Sequence, residues 1–338
     1  MIFILLSYAL AQPWTIISDT ENNLPETITV SDWLVPSKKW AHTPPQSDLQ
    51  RLRLALENTS HFIEKYRDDD SIMHVGMLSR LHLDVEDIEK TLDFILETIH
   101  KQPHLLADVA WWESNFDCYQ LHNLQKENAP EQIRLTKYVI YQAHGSRYKT
   151  PTFNHALWKV PKEEEHSVEN ANEEKQLLRT RLTRQEILDG ALENEYAGAA
   201  EPLAWLTKQH VLEAIMQGTI QVTFSDGDTK LFNVHKSNEI PYVRELSSLE
   251  QKRYWYFKEV EQVYGWGRED KVVLEPMIHF AGDIQNLGLG HLLWIQAEQN
   301  SYIGVLGDTG GAFQPNLGQL DWFIGMARDK KHFYQRTA

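Results

Sequence analysis

Asp308 and Asp321 are the residues of this 338-residue chain whose setting could do chemistry. Tyr302-Ile303-Gly304-Val305-Leu306 leads to the first, and Leu320, Trp322, Phe323 and Ile324 surround the second before Gly325. A lone carboxyl among large apolar side chains loses hydration, so its charged form is disfavoured and its pKa rises. A carboxylic acid that stays protonated near neutral pH suits acid catalysis on a glycosidic bond. Asp308 opens the turn Thr309-Gly310-Gly311, whose glycines are expected to supply φ > 0. The plain alternative is a β-turn followed by an edge strand. Asp308-Thr309-Gly310 is also the triplet of aspartic proteases, which pair two such aspartates around one proton. It occurs here once, near the end of the chain, so a single-chain protease has no second copy to use.

The elements that must position these acids can be read from periodicity. Leu49, Leu52, Leu56, Ile63 and Tyr66 follow helical spacing over 48–66, with Ser47 as candidate N-cap. A second helix is expected over 84–101, stopped by Pro103. Residues 12–45 are polar and Pro-punctuated, with Trp33 and Trp40 as anchors. Tyr138-Val139-Ile140-Tyr141 and Ala156–Pro161 read as strands, and the run Lys162–Lys175 reads as a solvated acidic loop. Thr183-Arg184-Gln185-Glu186 is a capping box. Ile220–Phe224 and Leu231–Val234 flank an Asp-Gly hairpin turn. Beyond Glu275, short strands at 277–281, 292–296, 302–306 and 320–324 suggest a small barrel.

A net charge of −15 makes a nucleic-acid surface improbable and leaves a glycan substrate open. Eleven tryptophans suit sugar stacking, although most tryptophans are core by default. The aromatic run Tyr254-Trp255-Tyr256-Phe257 fits either a stacking face or core packing. Ile2–Ala11 is an apolar stretch too short to span a bilayer and ends in the small-residue cleavage pattern Ala9-Leu10-Ala11. It predicts a signal peptide over 1–11 and a periplasmic protein of the cell envelope. A single cysteine, Cys118, rules out an internal disulfide. The histidines show no zinc-type spacing and no Gly-rich phosphate loop occurs, so neither metal nor cofactor is expected.

Leu182-Thr183-Arg184-Gln185-Glu186-Ile187-Leu188-Asp189-Gly190-Ala191-Leu192 resembles a helix motif of the membrane-bound lytic murein transglycosylase A family. Leu203-Ala204-Trp205, Gln217-Gly218-Thr219, Phe224-Ser225-Asp226-Gly227 and Pro241-Tyr242 follow in that family's order. Asp283-Ile284-Gln285-Asn286-Leu287-Gly288, Asp308-Thr309-Gly310-Gly311-Ala312 and Asp321-Trp322-Phe323-Ile324-Gly325 resemble the three-aspartate module that closes it. The resemblance covers about residues 31–326. It implies a mainly β, α+β fold: a double-psi β-barrel with N-terminal helices, an inserted second β domain and a glycan groove between them. The expected division is 12–136, 137–245 for the insert, and 246–338. The resemblance further implies cleavage of the β-1,4 bond between N-acetylmuramic acid and N-acetylglucosamine in peptidoglycan, leaving a 1,6-anhydro end. Asp321 matches the catalytic acid, and Tyr138 with Gln217, Gly218 and Thr219 match groove residues. The chain departs from the family at Lys137-Tyr138-Val139-Ile140-Tyr141, at Ile220 and at Phe313-Gln314-Pro315.

Such a reaction needs a single acid. Asp321 would protonate the leaving oxygen, and its conjugate base would then take the proton of the sugar's own C6 hydroxyl as that oxygen closes on C1. Water is not a reactant, so no second carboxylate need hold it. Asp308 stands open between two roles, bracing the turn or keeping Asp321 protonated through a second negative charge. Asp283 reads as a turn residue. The expected partner is a peptidoglycan strand, with no nucleic acid, no transmembrane span and a monomeric protein. The rival expectation is a module of this fold that binds glycan without cutting it.

Overall fold

Apolar spacing and strong caps account for the two long helices. The computed structural model describes residues 12–18, 26–37, 43–124, 132–165, 176–243, 245–247, 249–297, 299–313, 315–328 and 332. The expected signal segment 1–11, the anchor Trp40 and most of the acidic run lie outside the described residues. Helix α1 (Leu49–Tyr66) buries Leu52, Ala55, Leu56, Phe62 and Ile63. Its cap is Asp48 rather than Ser47: the carboxylate accepts from Gln50 N (2.9 Å) and Arg51 N (3.1 Å). A negative charge there also complements the helix dipole. Ser47 instead donates to Ile303 O (3.1 Å) and accepts from Ile303 N (2.8 Å). Helix α2 (Val85–Lys101) opens on a capping box between Asp84 and Asp87 and buries Ile88, Leu92 and Ile95. Each large aliphatic side chain so buried contributes about 1.5–3 kcal/mol.

The remaining principal elements, in chain order, are strand β1 (Arg134–Gly145), helix α3 (Lys208–Gln217), β2 (Thr219–Phe224), β3 (Thr229–Ser237), β4 (Trp255–Val260), β5 (Tyr264–Gly267), β6 (His279–Ala281), β7 (Leu292–Ala297), β8 (Asn300–Asp308) and β9 (Gln319–Ala327). The fold is mixed α and β, with strands dominating the last third. Two compact units divide the chain: Met1–Tyr138 with Tyr264–Ile324, and Val139–Val263 with Gly325–Ala338.

In the second unit the strand order is β4-β3-β2-β1. β1 and β2 pair in parallel, which demands a crossover, and α3 lies within it. β2 and β3 form the hairpin that the Asp-Gly signal predicts, with Gly227 at φ 86°. The core gathers Ile220, Val222, Phe224, Phe232, Tyr254, Tyr256 and Phe257. Tyr254 and Tyr256 are fully buried, which decides the aromatic run in favour of core packing. The start of the acidic run also departs from a solvated loop. Lys162–Glu165 forms a helical turn, and the Glu164 carboxylate pairs with Arg179 Nε at 2.9 and 3.1 Å, both side chains 1% exposed. Charge composition suggests solvation, but cationic partners, Arg179 through one N–H shared by both oxygens and Lys236 Nζ at 3.2 Å, make burial tolerable.

In the first unit β9, β6, β8 and β7 lie side by side in that order. β6 runs parallel to β8 and antiparallel to β9, and β7 and β8 form an antiparallel hairpin. The first residues of β1 run beside β9, with Arg134 N donating to Gly318 O at 2.8 Å.

Candidate active site

Ala281, at the end of β6, is the pivot of the site. It is the register partner of Asp308 on β8 and of Asp321 on β9, so the two acids flank it about one strand spacing, roughly 4.8 Å, to either side. A bulge creates this alignment. Phe280 pairs with Leu306, but Ala281 pairs with Asp308, which leaves Gly307 as the extra residue. Without the bulge Gly307 would stand beside Ala281. Close packing explains the glycine: a Cβ there would lie 2.6 Å from the ring of His279. His279 is fully buried, and burial lowers its pKa to about 3, so the ring is neutral. Nδ1 accepts from Glu275 N at 2.7 Å, which places the proton on Nε2, 3.1 Å from the Thr59 hydroxyl. Gly265 of β5 approaches from above, where a Cβ would lie 2.6 Å from Gly307 O and 3.0 Å from Asp308 Cβ.

Asp308 is partly exposed and firmly held. Oδ2 accepts from the Tyr138 hydroxyl at 2.7 Å and Oδ1 from Thr309 N at 2.8 Å. Burial raises its pKa to about 6; Tyr138, Thr309 N and Lys271 oppose that rise, and the Asp321 charge adds to it. Burial and the two carboxylates push the Tyr138 phenol well above its ordinary range, so Tyr138 is a neutral donor. Its ring centroid lies 5.2 Å from that of Phe323. In a flat sheet Tyr138 on β1 would be three strand spacings, roughly 14 Å, from Asp308 on β8. Side chains stand nearly upright on a sheet, so the hydrogen bond requires these strands to curl around that face.

Asp321 is also partly exposed, and burial raises its pKa, opposed by Gln319 and Arg134. Among the described residues it accepts one hydrogen bond, from Gln319 Nε2 to Oδ1 at 2.8 Å. No hydrogen bond to its second oxygen is found among the described residues. The same Gln319 nitrogen donates to Thr136 Oγ1 at 3.1 Å. Arg134, Thr136 and Tyr138 alternate along β1, and each acts on this site.

Asp308 does not lead into the expected left-handed Gly-Gly turn. Gly310 lies outside the left-handed region; a short 3₁₀ turn, Gly311–Phe313, comes next, and positive φ falls at Gly325 (90°) instead. Asp283 is 1% exposed and caps the turn Ile284–Leu287. Its carboxylate accepts from Asn286 Nδ2 at 3.0 Å on both oxygens, from Asn286 N at 3.3 Å and from Asn316 N at 2.8 Å. Asp283 is therefore a turn residue, as its sequence setting suggests.

Gln217, Gly218 and Thr219 lie in the second unit, where α3 hands over to β2. Gln217 Oε1 accepts from Val139 N at 3.3 Å. Gly218 ends α3 at φ 77°, the left-handed conformation that a helix C-cap favours. Thr219 is buried, its hydroxyl accepting from Asn233 Nδ2 at 2.7 Å. Sequence reasoning misses Gln319, Thr136 and Arg134. The available signal is the polar alternation at 134, 136 and 138, and a glutamine two positions before an acid on a strand, which puts both on one face. Among the described residues no group of three or more His, Cys, Asp or Glu could hold a metal ion, and no helix is long and apolar enough to cross a membrane.

No protein-family model matches the chain, and no curated protein matches it in sequence. Solved structures do share its fold. A membrane-bound lytic murein transglycosylase from Agrobacterium tumefaciens superposes with a TM-score of 0.60 at 14% identity, over 83% of this chain and 87% of that one. MltA from Escherichia coli with bound chitohexaose gives 0.57 at 13% identity, over 87% and 88%. MltA from Neisseria gonorrhoeae gives 0.54 at 15% identity, over 95% and 92%. At these identities the likeness is one of fold.

Proposed function

We propose that the chain is a peptidoglycan lytic transglycosylase that cleaves the β-1,4 bond between N-acetylmuramic acid and N-acetylglucosamine, with Asp321 as its single acid and base. The observation that carries this reading is the pair of half-buried acids flanking Ala281, both with raised pKa, on a fold shared with lytic transglycosylases. Asp321 rather than Asp308 is taken as the proton donor because donors occupy both Asp308 oxygens, whereas among the described residues only one Asp321 oxygen has a donor. Its raised pKa keeps more of it protonated at a given pH, ready to protonate the departing sugar oxygen. Once charged, the carboxylate takes the C6 hydroxyl proton as that oxygen closes on C1, and the acid is restored. Asp308, fixed by Tyr138, adds negative field near the oxocarbenium-like centre once it is ionised.

The same reading assigns the curled strands around Ala281 to a double-psi barrel and makes Gln217, Gly218 and Tyr138 contributors to glycan binding, with Thr219, buried against Asn233, as a support for Gly218 rather than a contact. The Gln217 amide nitrogen is the donor suited to an N-acetyl carbonyl. It also takes the protein to be exported to the cell envelope and to act there as a monomer. The test is digestion of purified sacculi followed by mass spectrometry. Anhydro-muropeptides released by the wild type and absent with Asp321→Asn support the reading. Sacculus binding without release by the wild type replaces it with a glycan-binding module of the same fold.

A further inference from the structure

We propose that Gln319 is a positioning residue for Asp321, an amide braced by Thr136 that holds Oδ1 as a pure acceptor and so assigns the transferable proton to Oδ2. The inference rests on Asp321 being the acid, as proposed above, and concerns how that acid is kept ready.

The geometry accounts for both hydrogens of one amide. Gln319 Nε2 lies 2.8 Å from Asp321 Oδ1 and 3.1 Å from Thr136 Oγ1, and a primary amide has two N–H donors for these two acceptors. Turning the amide over would set its carbonyl oxygen against the carboxylate, so this orientation is the one the acceptors select. Thr136 can accept because its own hydrogen points to Leu320 O, at 3.5 Å. The chain of donors therefore runs from Gln319 to Thr136 to the backbone of β9, and from Gln319 to Asp321. A proton on Oδ1 would meet an N–H head on, whereas a proton on Oδ2 meets none. Donation to a carboxyl favours its charged form, which opposes the effect of burial. The other groups that face Asp321 are Arg134 and Tyr138 from β1 and Asp308 from β8; β6 presents Ala281, which does not titrate. Arg134 pulls Asp321 towards the charged form, whereas the Asp321 charge acts on Asp308, raising its pKa. Among the described residues Gln319 is the group that hydrogen-bonds the acid directly, and being neutral it fixes direction without adding charge.

The test reads Asp321 itself, by carbon NMR titration of its labelled carboxyl in the substrate-free protein, alongside the pH profile of anhydro-muropeptide release. In Gln319→Leu the titration midpoint should rise by about 0.5–1 pH unit, the effect of losing one hydrogen bond to the charged form. The alkaline limb of the activity profile should move by the same amount, with kcat down about tenfold and KM little changed. Thr136→Val should move the midpoint the same way by less, and Thr136→Ser, which keeps the hydroxyl, should restore it. Because the two threonine variants perturb the brace alone, they decide the matter if Gln319→Leu does not fold. A midpoint that stays put in Thr136→Val and Gln319→Leu, or that falls, overturns the positioning role. Since the titration is read on the free protein, an inert wild type would overturn the transglycosylase reading while the hold of Gln319 on Asp321 is judged separately.

Discussion

Asp283 and the pair Asp308/Asp321 lie within the same group of strands, yet their carboxyls are treated in opposite ways. Asp283 is almost wholly removed from solvent, and both its oxygens are occupied by Asn286 and Asn316. Asn286 in turn accepts from Trp14 Nε1 (2.9 Å) and Ile17 N (2.8 Å), so the cluster ties the segment Trp14–Ile17 to the turns after β6 and β8. A carboxylate so fully satisfied has neither a lone pair nor space for a substrate. The flanking acids lose hydration too, but with fewer donors in return, and they keep partial exposure. Deficient solvation, rather than burial as such, separates an acid that can exchange a proton from one that holds a fold together.

Substitution tests that contrast, the largest effect coming first. Asp321→Asn should lower anhydro-muropeptide release by about 10²–10⁴-fold, equivalent to roughly 3–5 kcal/mol of barrier, with an unchanged melting temperature. A melting temperature that fell with activity would place Asp321 with Asp283 instead. Asp283→Asn sets an amide hydrogen against existing donors, and thermal unfolding should show a loss of about 2–4 kcal/mol. Equal stability with lost activity would break the contrast from the other side.

Asp308→Asn has a pH signature whose sign comes from linkage. A carboxyl whose folded pKa is about 6 contributes stability below its unfolded pKa of 3.8 and loses that contribution as pH rises through about 6. The asparagine variant should therefore gain on the wild type, by on the order of 1–3 kcal/mol, between about pH 4 and 7, and show no gain below that. Its rate loss should be smaller than that of Asp321→Asn. Denaturant unfolding at several pH values reads the first, and sacculus digestion the second. Ser47→Ala is the control, since it removes a hydroxyl from Ile303 far from either carboxyl. It should cost about 1 kcal/mol without shortening α1, because Asp48 is the cap.

Local periodicity makes much of this protein legible. Helical spacing locates α1 and α2, alternation locates the hairpin β2–β3, and the apolar runs after Glu275 locate β7, β8 and β9. Asp308 and Asp321 stand out because each interrupts an apolar strand, a contrast visible in one dimension. The cap of α1 is ambiguous in sequence because Ser47 and Asp48 are both good capping residues and only the final turn geometry chooses between them. The burial of Glu164 is hidden because composition cannot show that Arg179 will meet it.

Strand identity and the placing of one acid in each apolar run are thus properties of the sequence alone, because they depend on residues within a few positions of one another. Their meeting beside Ala281 was decided by tertiary structure. It depends on which strands pair, parallel on one side of β6 and antiparallel on the other, and on Gly307 being left out of the ladder. Gly307 looks in sequence like any glycine before a turn; only the ring of His279, from another strand, shows that no side chain fits there. The supports at Arg134, Thr136 and Tyr138 belong to the same class, since their partners lie more than a hundred positions away and are joined to them only by the curl of the sheet.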